Sequence, residues 1–149
     1  MKTVYRFIAL LCFGALLSVT ASAQDSGRVY ENGSVWSVGY VETKPGHFDD
    51  YLEDLSNIWK RYLDEQKKDG DVLSYKIIAN SWTRDGEPDL MLMVEYKNWA
   101  AFDRGNEYFD ELAKRLQGGT EQAQQSNIDR EELRNLRGGW VGQELVFKK

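Results

Sequence analysis

Apolar side chains along this chain recur with two different periods, and the change of period divides it into predicted strands and helices. Runs rich in β-branched and aromatic residues predict strands at 35–43, 72–82, 90–96 and 140–147. Apolar residues three and four positions apart predict one helix over 48–69 and a second over 99–117. The order βαββαβ is that of the ferredoxin-like α+β fold, a four-stranded antiparallel sheet with two helices on one face.

Residues 118–139 form an insertion before the last strand. One Gly-Gly pair ends the second helix and a polar, Gln-rich stretch follows it. Apolar spacing then predicts an extra short helix over 128–137, which a second Gly-Gly pair would break.

Both faces of the predicted sheet carry apolar side chains. In the first strand Trp36, Val38 and Tyr40 are expected on one face of the sheet, and Val35 and Val41 on the other. In the third strand Met91 and Met93 are expected on one face, and Leu90, Leu92 and Val94 on the other. An apolar sheet face left open to water is unusual in a soluble monomer, so we expect a cover. A second subunit is the simplest cover, and a ligand or the segment 118–139 are the alternatives.

The first 23 residues have the three parts of an export signal. Lys2 and Arg6 precede an uncharged apolar stretch at 7–17, and Ala21-Ser22-Ala23 is a small-residue cleavage site. The apolar stretch is too short to span a bilayer. We therefore expect a signal peptide at 1–23 and a bacterial periplasmic or secreted protein that keeps no membrane segment after cleavage. Its flexible lead would be 24–33 and its single domain 34–149.

Charge and cysteine content exclude several functional classes. The chain has 19 Lys and Arg against 24 Asp and Glu, a net charge of -5, which argues against nucleic acid and anionic membrane surfaces as partners. Cys12, the one cysteine, lies in the signal, and His47 is the one histidine. A mature chain of this kind has no thiol nucleophile, disulfide framework or Cys/His zinc site. We expect no metal and no other cofactor.

Strand aromatics are the best candidates for a ligand pocket. An apolar pocket would be lined by Trp36, Tyr40, Tyr75, Asn80, Trp82, Tyr96, Trp99 and Trp140. Asn80 and Gln143 would supply its polar groups, and the alternative role for the aromatics is packing in the core or a dimer interface.

Two charged groups could also bind ligands. His47 with Asp49 and Asp50 could form an acid/base or metal cluster, although a solvated helix start is the more common role of such residues. Three arginines, spaced to share one side of the predicted short helix, could receive an anion: Arg130, Arg134 and Arg137. Their acidic neighbours favour a solvated, self-compensating face instead. No residue is assigned a catalytic role.

Three stretches resemble the dimeric α+β barrel superfamily, which includes antibiotic biosynthesis monooxygenases, stress-responsive barrel proteins and NIPSNAP-like proteins. They are VETKPGHFDDYLEDL (41–55), DGDVLSYKII (69–78) and EYKNWAAFD (95–103), and the likeness covers about 34–147. The resemblance implies a homodimer with two sheets packed face to face, and often a pocket between the sheet and helices of each subunit. Some relatives bind haem through a histidine of the second helix. The second predicted helix of this chain contains no histidine.

Three functions remain open at this level. The first is an exported homodimer that binds a small apolar or aromatic molecule. The second is a cofactor-independent enzyme resembling a monooxygenase or isomerase, and the third is a structural or interaction module. Fold resemblance alone does not choose among them.

Overall fold

Four strands form one antiparallel sheet in the computed structural model, which describes residues 27–149. They are β1 (Tyr30–Thr43), β2 (Val72–Ala79), β3 (Leu90–Tyr96) and β4 (Arg134–Phe147). Their spatial order is β2-β3-β1-β4, and all three neighbouring pairs are antiparallel. The predicted ferredoxin-like α+β fold is confirmed. The predicted signal peptide lies outside the described residues.

The helix after β1 is continuous but changes its winding halfway. α1 (Phe48–Asp54) passes through a π-helical turn, Leu55–Trp59, into α2 (Lys60–Lys68). Side chains packed toward the sheet recur every four residues along it: Tyr51, Leu55, Trp59 and Leu63. With 3.6 residues per turn, such a row drifts by about 40° at each step around an α-helix. The wider π turn offsets this drift and keeps the row facing the sheet.

The second predicted helix is interrupted. A 3-10 turn covers Trp99–Asp103, the backbone is extended at Arg104, and α3 runs over Asn106–Gln117. Arg104 is fixed outside the helix because its Nε donates to the Asp71 carboxylate at 2.7 Å. α3 ends at Gly118, whose φ of 93° is the left-handed conformation that glycine adopts at helix ends.

The predicted extra helix before the last strand is present, but its predicted bounds, 128–137, are wrong. Helix α4 covers Thr120–Arg130, and β4 already begins at Arg134. Residues 134–136 pair with residues 41–43 of β1, so strand pairing overrides the local helical spacing. The Gly-Gly pair at 138–139 therefore lies inside the strand, at an irregularity in the register, and does not end an element.

The segment 24–33, predicted to precede the first strand, overlaps β1, and its residues 24–26 lie outside the described residues. β1 begins at Tyr30 because residues 30–32 pair with 145–147 at the end of β4. Both strands thus extend well past the shorter β2 and β3.

Two clusters of buried side chains fill the space between the sheet and the helix that follows β1. One contains Val41, Tyr51, Leu55 and Leu90, and the other Leu63, Val72 and Val94. Trp59 packs against both clusters, so it joins them into one helix-side core.

A glycine pair where β1 meets β4 offers a matched test of this packing. A Cβ on Gly139 would lie 2.4 Å from the Val38 carbonyl oxygen, whereas a Cβ on the opposite Gly39 would meet nothing within 4 Å. We expect Gly139→Ala to lower the free energy of unfolding by about 1–3 kcal/mol, as overpacking does, and Gly39→Ala to change it little. Urea unfolding of both variants measures the difference. Equal effects would contradict the register.

Candidate functional site

Strand register divides the side chains of the sheet between two faces. Val41 opposite Leu90 lies toward the helices, so Tyr40 opposite Met91 and Val38 opposite Met93 point away from them. The open sheet face, as we call the helix-free side, carries seven apolar residues: Trp36, Val38, Tyr40, Ile78, Met91, Met93 and Trp140. Ile78 and Trp140 remain 41% and 48% exposed. The expected two-sided apolar sheet is confirmed.

Three of the predicted pocket residues come together on this face. The Trp140 Nε1 donates to the Tyr40 hydroxyl at 3.2 Å, and the Lys76 ammonium lies 5.1 Å from the centre of the Trp36 ring. Trp36, Tyr40 and Trp140 thus lie on one face of the neighbouring strands β1 and β4.

The remaining predicted pocket residues lie elsewhere. Tyr75 and Tyr96 face the helices, Asn80 and Trp82 belong to the β2–β3 connection, and Trp99 begins the 3-10 turn. Asn80 Oδ1 accepts from the backbone of Trp82, whose side chain is 90% exposed. The eight residues therefore do not line one common cavity in the structure.

Tyr75 and Trp99 each form a side-chain hydrogen bond of their own, away from the open sheet face. Tyr75 meets the Trp59 ring edge-on at 5.4 Å and donates its hydroxyl to Asp64 at 2.6 Å. That carboxylate raises the pKa of Tyr75, and burial raises the pKa of Tyr96. Trp99 Nε1 donates to Gln143 Oε1 at 2.6 Å, so Gln143 supports this turn and does not converge with Asn80.

Charged candidates are dispersed as well. His47 Nδ1 lies 3.0 Å from Asp50, and within 27–149 no three His, Asp or Glu side chains are grouped to hold a metal ion. The three arginines do not share a helix face. They pair one by one with separate acids: Arg130 with Asp54, Arg134 with Glu131 and Arg137 with Glu42.

A concave site lies between the helices, and none of the eight predicted pocket residues lines it. It has a volume of about 400 Å³, opens to solvent and is bordered by the π turn and α2, by α3 and by α4. Its apolar walls are formed by Ile58, Trp59, Tyr62, Phe109, Ala113 and Ala123. We call it the helix cleft. It could not be predicted because one of its walls is α4, which the apolar spacing placed eight residues too late on the chain.

Half of the residues that line the helix cleft are polar or charged: Asp110, Gln117, Thr120, Gln124, Asn127 and Arg130. Gln117 Nε2 donates to the Tyr62 hydroxyl at 2.8 Å, while Gln117 Oε1 is buried without a hydrogen-bond partner among the described residues. Arg130 is held at 2.6 Å by Asp54, and both side chains are largely buried. Asp110 on α3 also lines the cleft, and no ion pair within 27–149 includes it.

α4 covers the cleft but is lightly attached. Before Arg130, every residue of α4 is exposed or half-buried. It begins after Gly118 and Gly119, with φ values of 93° and 156° that other residues rarely adopt. Its far end is fixed by the Arg130–Asp54 ion pair. The cover thus depends on two glycines and one ion pair.

Comparisons with known proteins give fold-level likenesses. No family model and no curated protein matches the chain. It is similar to a dimeric ferredoxin-like protein from an uncultured marine organism, with 12% identity, a TM-score of 0.48, and coverage of 80% of this chain and 91% of that one. It is also similar to PA3566 from Pseudomonas aeruginosa, with 16% identity, a TM-score of 0.41, and coverage of 78% and 95%.

The ferredoxin-like assignment follows from the strand order of the chain itself. None of the helices in the described part of the chain has the length and apolar character needed to cross a membrane.

The anchor of α4 can be tested by hydrogen exchange. Asp54→Asn leaves Arg130 partly buried and without its counter-charge, which we expect to cost about 1–2 kcal/mol, between exposed and fully buried pairs. Amides of 120–130 should then exchange about 5- to 30-fold faster, because the local opening is easier. Asp50→Asn, at an exposed position of α1, is the control and should leave 120–130 unchanged. Equal exchange in the two variants would show that the ion pair does not hold α4.

Proposed function

We propose that the protein is an exported homodimer that binds a small apolar or aromatic molecule in the helix cleft. The cleft itself supports this function best, because its volume of about 400 Å³ and its combination of aromatic and aliphatic walls with polar groups at Gln117 and along α4 suit a small molecule. The eight predicted pocket residues are then assigned to other roles: three to the dimer interface and the rest to local packing and turns.

The homodimer is proposed from the open sheet face. Its seven apolar residues form one layer with half-exposed tryptophan at one edge. A second copy offers the same apolar surface, and a two-fold interface joins identical patches. The resemblance to dimeric α+β barrels implies the same arrangement, so the occupant of this face is a second copy of the chain.

A charge placed in the open sheet face should separate the subunits. Met93→Asp would bury an unpaired carboxylate at the proposed interface. We expect the unchanged mature protein to sediment as a dimer at micromolar concentration and Met93→Asp as a folded monomer. Leu136→Asp is the matched control, because Leu136 lies on the other face and is 63% exposed. A monomeric unchanged protein, or a dimeric Met93→Asp variant, would contradict the proposed interface.

Filling the cleft should abolish ligand binding. Ala123 lies on the cleft wall contributed by α4, so a tryptophan at this position would occupy the space. We expect the neutral dye N-phenyl-1-naphthylamine to bind the unchanged protein with increased fluorescence, and Ala123→Trp to weaken binding at least about tenfold. Gln125→Trp, on the same helix and outside the cleft lining, should bind normally. Equal dye binding by the two variants would place the site elsewhere.

Export is proposed from the predicted signal peptide. Cleavage after Ala23 would leave Gln24 as the first residue of the mature protein. N-terminal sequencing of protein recovered from the periplasm or culture medium should therefore start at Gln24. Recovery of a chain that still carries residues 1–23 in those fractions would contradict cleavage.

A further inference from the structure

The charges around the helix cleft disfavour an acidic ligand. Arg130 is the cation that lines the cleft, and it is already paired with Asp54 at 2.6 Å and donates to Asn127 at 3.2 Å. Asp110 adds a negative charge to the opposite wall. A carboxylate entering the cleft would meet two aspartates and one cation whose charge is already compensated. In a partly desolvated site that balance favours neutral molecules.

Gln117 lines the cleft and has a hydrogen-bond acceptor that is not in use. Its Nε2 donates to the Tyr62 hydroxyl, and its Oε1 is buried with no partner among residues 27–149. A buried acceptor of this kind is costly until a donor reaches it. Rotation about the last side-chain torsion of glutamine is soft, so the amide can turn toward a bound molecule. A ligand O–H or N–H would supply the missing donor.

We infer that the helix cleft selects uncharged aromatic or alicyclic molecules that carry a hydrogen-bond donor, such as phenols and alcohols, and that Gln117 binds the donor. The apolar body would lie against the aromatic and aliphatic walls, between Trp59 and Phe109 on one side and Ala123 on the other. This inference rests on the proposed binding function and names the class of ligand for the same site.

Three probes with one common ring system separate the contributions of charge and hydrogen bonding. Naphthalene has the apolar body alone, 1-naphthol adds a neutral donor, and 1-naphthoate adds a negative charge. Calorimetric titration of the mature protein should give an affinity for 1-naphthol about three- to tenfold above that for naphthalene, the range of a net hydrogen bond. The affinity for 1-naphthoate should be the lowest of the three.

Variants assign these differences to residues. Gln117→Leu should make the affinities for 1-naphthol and naphthalene equal and leave naphthalene binding in place. Gln117→Met serves the same purpose where the leucine variant does not fold. Asp110→Asn should raise the affinity for 1-naphthoate and leave that for 1-naphthol unchanged. Gln125→Leu, outside the cleft lining, should reproduce the unchanged protein for all three probes.

Failures of the two proposals are distinguishable. Absence of binding by all three probes would overturn the binding function and with it this inference. Equal binding of 1-naphthol and naphthalene, or a preference for 1-naphthol that survives in the Gln117 variants, would overturn only the role of Gln117. Tightest binding of 1-naphthoate would overturn the neutral class and show that Arg130 receives anions.

Discussion

A row of side chains spaced four residues apart must face the sheet along the whole helix that follows β1, and the rest of the structure depends on how the chain meets this constraint. An unbroken α-helix would turn the row away by about 40° per step. The π turn at Leu55–Trp59 corrects the drift and brings Trp59 against both halves of the core. The same turn sets Ile58 beside it on the wall of the helix cleft. π-helical turns of this kind are frequent at functional sites.

The cleft remains open because α4 fills it poorly. This helix contributes small and polar side chains to the lining, such as Thr120 and Ala123, and before Arg130 all of its residues are exposed or half-buried. The space of about 400 Å³ that remains between the helices is a cleft open to solvent. Its cover is held at one end by glycines and at the other by Arg130 and Asp54, an attachment compatible with ligand entry.

Local periodicity predicted the elements that obey it. The alternation of Trp36 and Val38 with Val35 separated the two faces of the sheet correctly, because side chains of a strand alternate strictly. The bounds of α4 were predicted wrongly because this helix has no apolar face, and the start of β4 was predicted wrongly because Leu136 pairs with Val41, far away in the sequence. The predicted pocket residues lie apart for a related reason, because aromatic residue type does not determine which face of the sheet a side chain occupies. The cleft depends on contacts among three helices, which no local pattern records.

The central claim is that a small apolar molecule binds among the helices, while the open sheet face serves assembly. Methyl NMR of the mature protein titrated with N-phenyl-1-naphthylamine tests it most directly, because methyl groups report both locations. We predict shifts at Ile58, Ala113 and Ala123 of the cleft lining and none at Met91 and Met93 of the open sheet face. Shifts confined to Met91 and Met93 would contradict the claim and make the sheet face the ligand site.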